Sequence, residues 1–488
     1  MSLRLSEGER LRAWAFVRDV ILGRLERDPS GPIDPRPVPS EVRAFLARFD
    51  FDAPLEPEEA LRLVVEGLER FHVHPDHPGY VGRFNPAPSD MSILADSLVA
   101  AFNPQLAAWS YGAFAIEAEQ RLIREFGHRF GFPAASIEGT FASGGAEANH
   151  TAVLLALTHG APGFPVRGLA ELPARPVIYV ASEGHHSVRK AGRLSGLGDD
   201  GVVAIPVDDR FRMSVDALRE AIAADTARGR LPLAVVATAG TTGSGAVDPI
   251  AAVADVAADH GLWLHVDAAW AGPLILLEEK RALLAGIERA DSITFDAHKM
   301  LAVPMGAGIL VTRHRGLLRR TFAIDTGYMP PDAADAVEPY AHSMQWTRRA
   351  IGMKLFLTLA VAGWRGYAET IRRQLAMLDR LVAGLLADGW RVVNDPAAGV
   401  ACFVDGTGAV PDDRLPALAA KVIESGDAWI THARIGAGRT VLRACITNHR
   451  TREEHVDRLL EVLGRARDTE SRPVSAVPAG HAQRQRGI

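Results

Sequence analysis

Between about residues 101 and 345 the chain alternates short, apolar, β-rich runs with amphipathic stretches of helical spacing. The runs are Val177–Val180, Val202–Val207, Leu233–Thr238, Leu262–Val266, Ser292–Phe295 and Gly308–Val311. Helices are expected at Val215–Ala224, Ile250–His260 and Glu278–Glu288. Few folds accept this pattern. A helix between two strands carries the chain back to the same edge, so the next strand runs parallel to the last. Helices then cover the sheet, and the strands read as unbroken apolar runs. The expectation is an α/β domain over residues 101–345, with a mostly parallel central sheet covered by helices.

The flanks differ from this middle. Residues 1–100 read as helices (Leu11–Leu25, Ser40–Phe49, Pro57–Phe71) separated by joints such as Asp28-Pro29-Ser30-Gly31-Pro32 and Asp34-Pro35-Arg36-Pro37, which no helix crosses. Such a segment buries little of itself and is expected to wrap a second subunit. Residues 346–468 read as a small α+β domain. A long helix (Thr347–Asp388) precedes strands at Trp390–Val393 and Val441–Cys445, and a last helix covers Arg452–Arg465. Residues 469–488, rich in Pro, Gly, Arg and Gln, are expected to be a disordered tail. There is no internal repeat.

Composition excludes several functions. With 23% charged residues and a net charge of -5, the chain offers no basic stripe for nucleic acid. Two cysteines, Cys402 and Cys445, make no disulfide framework and sit in no metal-ligand spacing, so no metal site is expected. The pair His185-His186 lacks a carboxylate or thiol at ligand spacing. The N-terminus has no apolar core of a secretory signal, and no apolar stretch approaches membrane-spanning length. A cytoplasmic protein with no membrane partner is the expectation.

Ligands of open α/β sheets bind beyond the carboxyl ends of the parallel strands. Here those ends carry a set of polar groups: Ser182-Glu183-Gly184-His185, Thr238-Ala239-Gly240-Thr241-Thr242, Asp267-Ala268-Ala269 and Asp296-Ala297-His298-Lys299. Taken singly, each has an ordinary structural reading as a turn, an N-cap or a surface charge. Taken together they match one chemistry. A lysine that forms a Schiff base needs an electron sink beside it, and pyridoxal phosphate (PLP) is such a sink. The sink's pyridine nitrogen needs a carboxylate, which Asp267 supplies. Its flat ring needs a stacking face, which His185 supplies. Its phosphate needs backbone N–H groups at a helix start, and Ser143-Gly144-Gly145-Ala146 before an Ala-rich helix fits.

These residues carry a resemblance. His265-Val266-Asp267-Ala268-Ala269-Trp270-Ala271-Gly272, with Asp296-Ala297-His298-Lys299 following, resembles the group II PLP-dependent amino-acid decarboxylases of fold type I (aromatic-amino-acid, glutamate, histidine and diaminobutyrate decarboxylases). Thr238–Thr242 with Gly245–Pro249, His185–Ala191 and Leu442–Asn448 are similar too, and the likeness runs from about His77 to Leu463. It implies decarboxylation of an L-amino acid to an amine and CO2 through a Lys299 Schiff base. Asp267 would pair with the pyridinium, and Ala269 and His185 would flank the ring. Gly144, Gly145 and Ala146 would hold the phosphate with His298 nearby, and Thr242 would support the Asp267 side. The resemblance also implies a homodimer with a shared active site, and a mobile loop (here Asp325–Gln345) bearing a tyrosine that protonates the carbon. Tyr340 is the best match for that tyrosine, with Tyr328 its competitor. Tyr80–Pro86 matches a pocket-lining segment, so Arg83 and Phe84, with Phe102 and Trp109, are the expected substrate contacts; where Arg83 stands, aromatic-specific members typically have an aromatic residue. Met300 departs from a common Trp.

Rival readings are an aldehyde synthase or an aminotransferase on the same fold, a nucleotide-binding oxidoreductase, and a non-catalytic homologue. Gly243-Ser244-Gly245 hints at the oxidoreductase's fingerprint, but Asp248 stands where its third glycine would be.

Overall fold

The computed structural model describes residues 3–26, 31–330 and 335–471. The apolar runs become strands, the central ones covered on both faces and the edge strand at Val202–Ile205 only partly buried. They are β2 (Pro176–Ala181), β3 (Val202–Ile205), β4 (Leu231–Thr238), β5 (Trp263–Asp267), β6 (Ser292–Asp296) and β7 (Gly308–Thr312). A seventh, β1 (Glu138–Ala142), was not expected from the sequence. The seven form one sheet in the order β1-β7-β6-β5-β4-β2-β3. The contacts from β6 through β5, β4 and β2 to β3 are parallel, whereas β7 is antiparallel to both its neighbours. Every residue of β2, β5 and β6 is buried, which is why these strands read as unbroken apolar runs.

This topology decides where the chemistry gathers. Strands β2, β4, β5 and β6 point the same way, so Ala181, Thr238, Asp267 and Asp296 end on one rim. Strand β1 joins them because two reversals cancel: it is antiparallel to β7, which is antiparallel to β6. The turn after Ala142 therefore opens on the same rim.

Helices Gly145–Gly160, His186–Leu194, Val215–Ala227 and Ile250–Asp259 pack on the sheet. The expected helix over Glu278–Glu288 is instead two 3-10 turns, Glu278–Leu284 and Ile287–Arg289. Gly286 between them has φ +95°, and a Cβ there would lie 2.5 Å from the Ala251 backbone. Close approach to a neighbouring helix thus overrides a helical sequence pattern.

A second sheet, antiparallel in the order β10-β11-β9-β8, comprises β8 (Trp390–Val392), β9 (Ala401–Asp405), β10 (Thr431–Ile435) and β11 (Arg439–Ala444). The long helix before it runs Met353–Ala387 and breaks its helical geometry at Gly363. The last helix, Glu453–Glu470, extends two residues past the expected start of the tail; residues 472–488 lie outside the described residues. At the other end, helices Glu7–Glu26, Pro39–Leu46 and Pro57–Phe71 form, and the first of them buries none of its residues. No described helix is long and apolar enough to cross a membrane.

Candidate active site

Asp267 ends β5, and its strand neighbour Thr294 on β6 lies two residues before Asp296, which leads into Lys299. Register therefore brings the Asp and the Lys to one cavity, lined also by Gly145, Ala146, Asn149, His185, Thr238, Thr242, Ala269, Trp270 and Asp296. The expected Lys299, Asp267, His185, Ala269, Thr242, Gly145 and Ala146 thus meet, though they are spread over more than 150 positions of sequence.

Asp267 is held from both sides. Its Oδ1 accepts from the Ala269 backbone N–H at 3.1 Å and its Oδ2 from Asn149 Nδ2 at 2.8 Å. Lys299 Nζ lies 3.0 Å from Asp296 Oδ2. His185 is open to the cleft on one side and crowded by protein on the other. This partial burial lowers its pKa, against the opposing pull of the Asp267 charge. His298 is lowered by burial as well. Its Nδ1 accepts from the Ala307 N–H at 3.1 Å, and its Cε1 lies 3.5 Å from where a Cβ on Gly144 would stand.

The residues fit a flat, phosphorylated, polar group. The Gly145–Gly160 helix starts at the cavity, with Gly145 and Ala146 in its lining, the arrangement that suits a phosphate. A Cβ on Gly145 would meet Asp296 Oδ2 at 3.0 Å and the Ala269 Cβ at 3.4 Å, so glycine keeps the cradle open. Thr238 Oγ1 and Asp296 Oδ1 are buried polar atoms of this wall without a hydrogen-bond partner in the chain itself.

An adjoining cleft of about 520 Å³ extends outwards from Lys299 between Gly82–Asn85 and β10 and β11. Arg83 and Phe84 line it, as the sequence led one to expect. Phe84 stacks on Trp270 with ring centroids 4.0 Å apart and lies 5.7 Å from Lys299 Nζ, forming an apolar wall. Phe102, Trp109, Tyr340 and Tyr328 line neither this cleft nor the inner cavity within the single chain. Phe102 is 83% exposed at the end of its helix. Trp109 Nε1 donates to Glu117, and Tyr328 is exposed. Tyr340 is buried in a short turn, its N–H donating to the Ala107 carbonyl and its ring 5.1 Å from that of Trp346. Within the single chain, the segments bearing these four residues sit at its surface or against Ala107.

Other residues were missed. Arg443 on β11 lines the cleft, only 5% exposed. Its Nε and Nη1 donate to the carbonyls of Thr242 and Gly82, while Nη2 is buried with no partner among the described residues. Gln345, at the end of the loop, donates to both oxygens of Glu147, whose Oε2 also accepts from Ser143 Oγ. Asn149 and Asp296 belong to motifs visible in the sequence, but their roles are set by contacts that spacing does not reveal.

A family model, the pyridoxal-dependent decarboxylase conserved domain, matches residues 44–404. L-2,4-diaminobutyrate decarboxylase of Rhizobium meliloti (strain 1021) is 32% identical over 407 residues, covering 81% of this chain and 79% of the relative. Aromatic-L-amino-acid decarboxylase of Bacillus atrophaeus is 29% identical over 467 residues, covering 93% and 95%. Among solved structures, mouse CSAD superposes with a TM-score of 0.86 at 26% identity, covering 93% of this chain and 98% of that one.

Proposed function

Because the chain belongs to the pyridoxal-dependent decarboxylase family and is a PLP-dependent carboxy-lyase that turns an amino acid into an amine and CO2, we propose the following roles for its own residues. The rival reactions, an aldehyde synthase or an aminotransferase, are not favoured, since the matching family and the relatives named above are decarboxylases. The observation that carries the assignment is the convergence of Lys299, Asp267, His185 and the Gly145 helix start on one cavity.

When bound, PLP supplies an aldehyde that condenses with amines and a ring that takes up the electron pair left as CO2 departs. Lys299 is the amine that holds it. The Asp267 carboxylate, fixed in place by Asn149 and Ala269, would pair with the ring nitrogen. His185 and Ala269 would flank the ring, and Gly144, Gly145 and Ala146 would hold the phosphate with His298 beside them. Thr242 supports the rim next to Asp267. Phe84 and Trp270 exclude water from one side of Lys299, which strengthens every charge interaction there. Tyr340 delivers the proton that replaces the carboxylate.

For the substrate we propose an L-amino acid with an anionic side chain. The outer cleft has Arg83, Arg443 and His432 in its lining and, among the described residues, no Asp or Glu. The α-carboxylate needs one cation, which leaves another for the side chain. Phe102 and Trp109 are proposed to reach the cleft of a second copy in a homodimer. A cytoplasmic setting agrees with the two cysteines, both buried and free.

The test is an absorbance spectrum before and after borohydride, followed by a panel of L-amino acids scored for CO2, amine, H2O2 and keto acid. A borohydride-bleached band with the label on Lys299, and CO2 equal to amine, is expected, with acidic substrates turned over fastest. Absence of the band after reconstitution removes the Lys299 assignment. Preference for aromatic substrates removes the substrate proposal alone.

A further inference from the structure

Behind Asp267 lies a run of buried polar groups that the reaction as described does not use. Trp263 Nε1 is 3.0 Å from Ser292 Oγ, and Ser292 Oγ is 2.8 Å from His265 Nδ1. His265 Nε2 is 3.1 Å from Asn149 Oδ1, and Asn149 Nδ2 is 2.8 Å from Asp267 Oδ2. The same Nδ2 is 2.9 Å from Ser187 Oγ, which is 2.7 Å from His185 Nδ1. Trp263, Ser292, His265, Asn149 and Ser187 are all buried.

The chemistry of the ends fixes the direction of every link. The Asp267 carboxylate only accepts, so Asn149 turns Oδ1 to His265 Nε2, which must carry the ring's proton; Nδ1 of the neutral ring then accepts from Ser292 Oγ, itself an acceptor of the Trp263 indole N–H. His265 then carries its proton on Nε2 and donates it to Asn149 Oδ1. The Asn149 amide thus turns its NH2 towards Asp267. One amide hydrogen goes to Asp267. The other goes to Ser187, whose hydroxyl proton is left for His185 Nδ1. The backbone N–H of Ser187 points at the same Nδ1 at 3.2 Å, so both donors agree that it is unprotonated. His185 is left with its proton on Nε2. Full burial, which holds His265 down to about 4, keeps that ring neutral and so able to accept and donate at once.

We propose that Asn149 is a positioning residue at the fork of this one-way donor chain. It fixes the orientation of the Asp267 carboxylate and the tautomer of His185 together. Nothing in its motif assigns it this role, and it rests on the reading of Asp267 and His185 as cofactor residues.

Hydrogen positions in the native protein test it directly. A neutron diffraction map of the full-length protein is expected to show the proton of His265 on Nε2 and the NH2 of Asn149 facing Asp267. A proton on His265 Nδ1, or an amide turned the other way, overturns the chain. This result is read without turnover, so it stands apart from any failure of the Lys299 assignment. In the PLP-loaded enzyme, Asn149→Ala is expected to lower kcat about 10–100-fold with KM little changed. It should also move the pH midpoint of the visible absorbance by about one unit, the scale of one lost hydrogen bond to a charged group. An unmoved midpoint with only a lowered Tm would assign Asn149 a structural role and overturn the proposal.

Discussion

At the residue scale the two ends of the chemistry can be separated. Lys299→Ala is expected to abolish turnover and the borohydride-sensitive band, because among the described residues no other amine lines the inner cavity. Asp267→Asn keeps the shape but presents an NH2 to a ring nitrogen that needs an acceptor. A drop in kcat of about 10²–10³-fold, with PLP still retained in the absorbance spectrum, is expected. A second prediction concerns pH. Burial pushes His265 from the ordinary 6.5 down to about 4, so between these values the unfolded chain binds a proton that the folded protein refuses. Stability is therefore lost as pH falls from 6.5 through 4. His265→Gln removes the titration. Its Tm should fall less than the wild type's over that range, and parallel Tm profiles would exclude His265 as the titrating group. The sequence revealed Lys299, Asp267 and His185 because their residue types sit just past strand ends. It could not reveal what Asn149 does: 118 positions separate it from Asp267, and only the packing of its helix on the sheet closes that gap. Arg443 was hidden for a like reason, since its partners Gly82 and Thr242 come from distant segments.

At the scale of elements, the Gly144–Gly145 turn is supported from below by β7. A Cβ on Gly308 would lie 2.5 Å from the Gly144 carbonyl carbon and 2.6 Å from its Cα, a contact with backbone that no rotamer relieves. Gly308→Ala should therefore cost about 1–3 kcal/mol of stability and weaken PLP binding by lifting the turn. Chemical denaturation and a PLP titration check the two effects. An unchanged PLP affinity would show that the turn does not depend on β7. Six strands of the large sheet were legible because β-rich apolar runs mark them, continuous where both faces are buried, as in β2, β5 and β6. Strand β1 was not, since Glu138-Gly139-Thr140-Phe141-Ala142 holds only two strongly apolar side chains, although all five residues are buried. Glu138 is tolerated there because its carboxylate accepts from the Gly316 and Leu318 N–H groups. In the second sheet, β10 escaped notice because it alternates as an edge strand. The Glu278–Glu288 pattern failed in the opposite way, as periodicity carries no signal for the contact at Gly286.

At the scale of the whole molecule, one chain leaves several large apolar side chains exposed on its N-terminal helices. Leu94, Leu98 and Phe102 recur every four residues along one helix face and are exposed, with Tyr111 and Phe114 exposed on the next helix. Leu11, Trp14 and Leu22 add to this on the N-terminal helix. We propose a second copy as the cover, with Tyr340 serving the partner's site because it lines neither cavity of its own chain. Mixing two inactive variants decides the matter. Lys299→Ala cannot hold PLP covalently, and Tyr340→Phe should lose about 10²–10⁴-fold in amine formation. If the tyrosine works across the interface, a mixed dimer contains one site with both Lys299 and Tyr340, assembled from different chains. Co-expression should then restore activity that neither variant shows alone. If the tyrosine works in its own chain, each site of the mixed dimer lacks one of the two groups and no activity returns. A sedimentation profile of the mixture makes the result unambiguous. Dimers without activity would place Tyr340 in its own subunit or outside the chemistry, whereas monomers would mean that the exposed helix faces serve something other than a second copy.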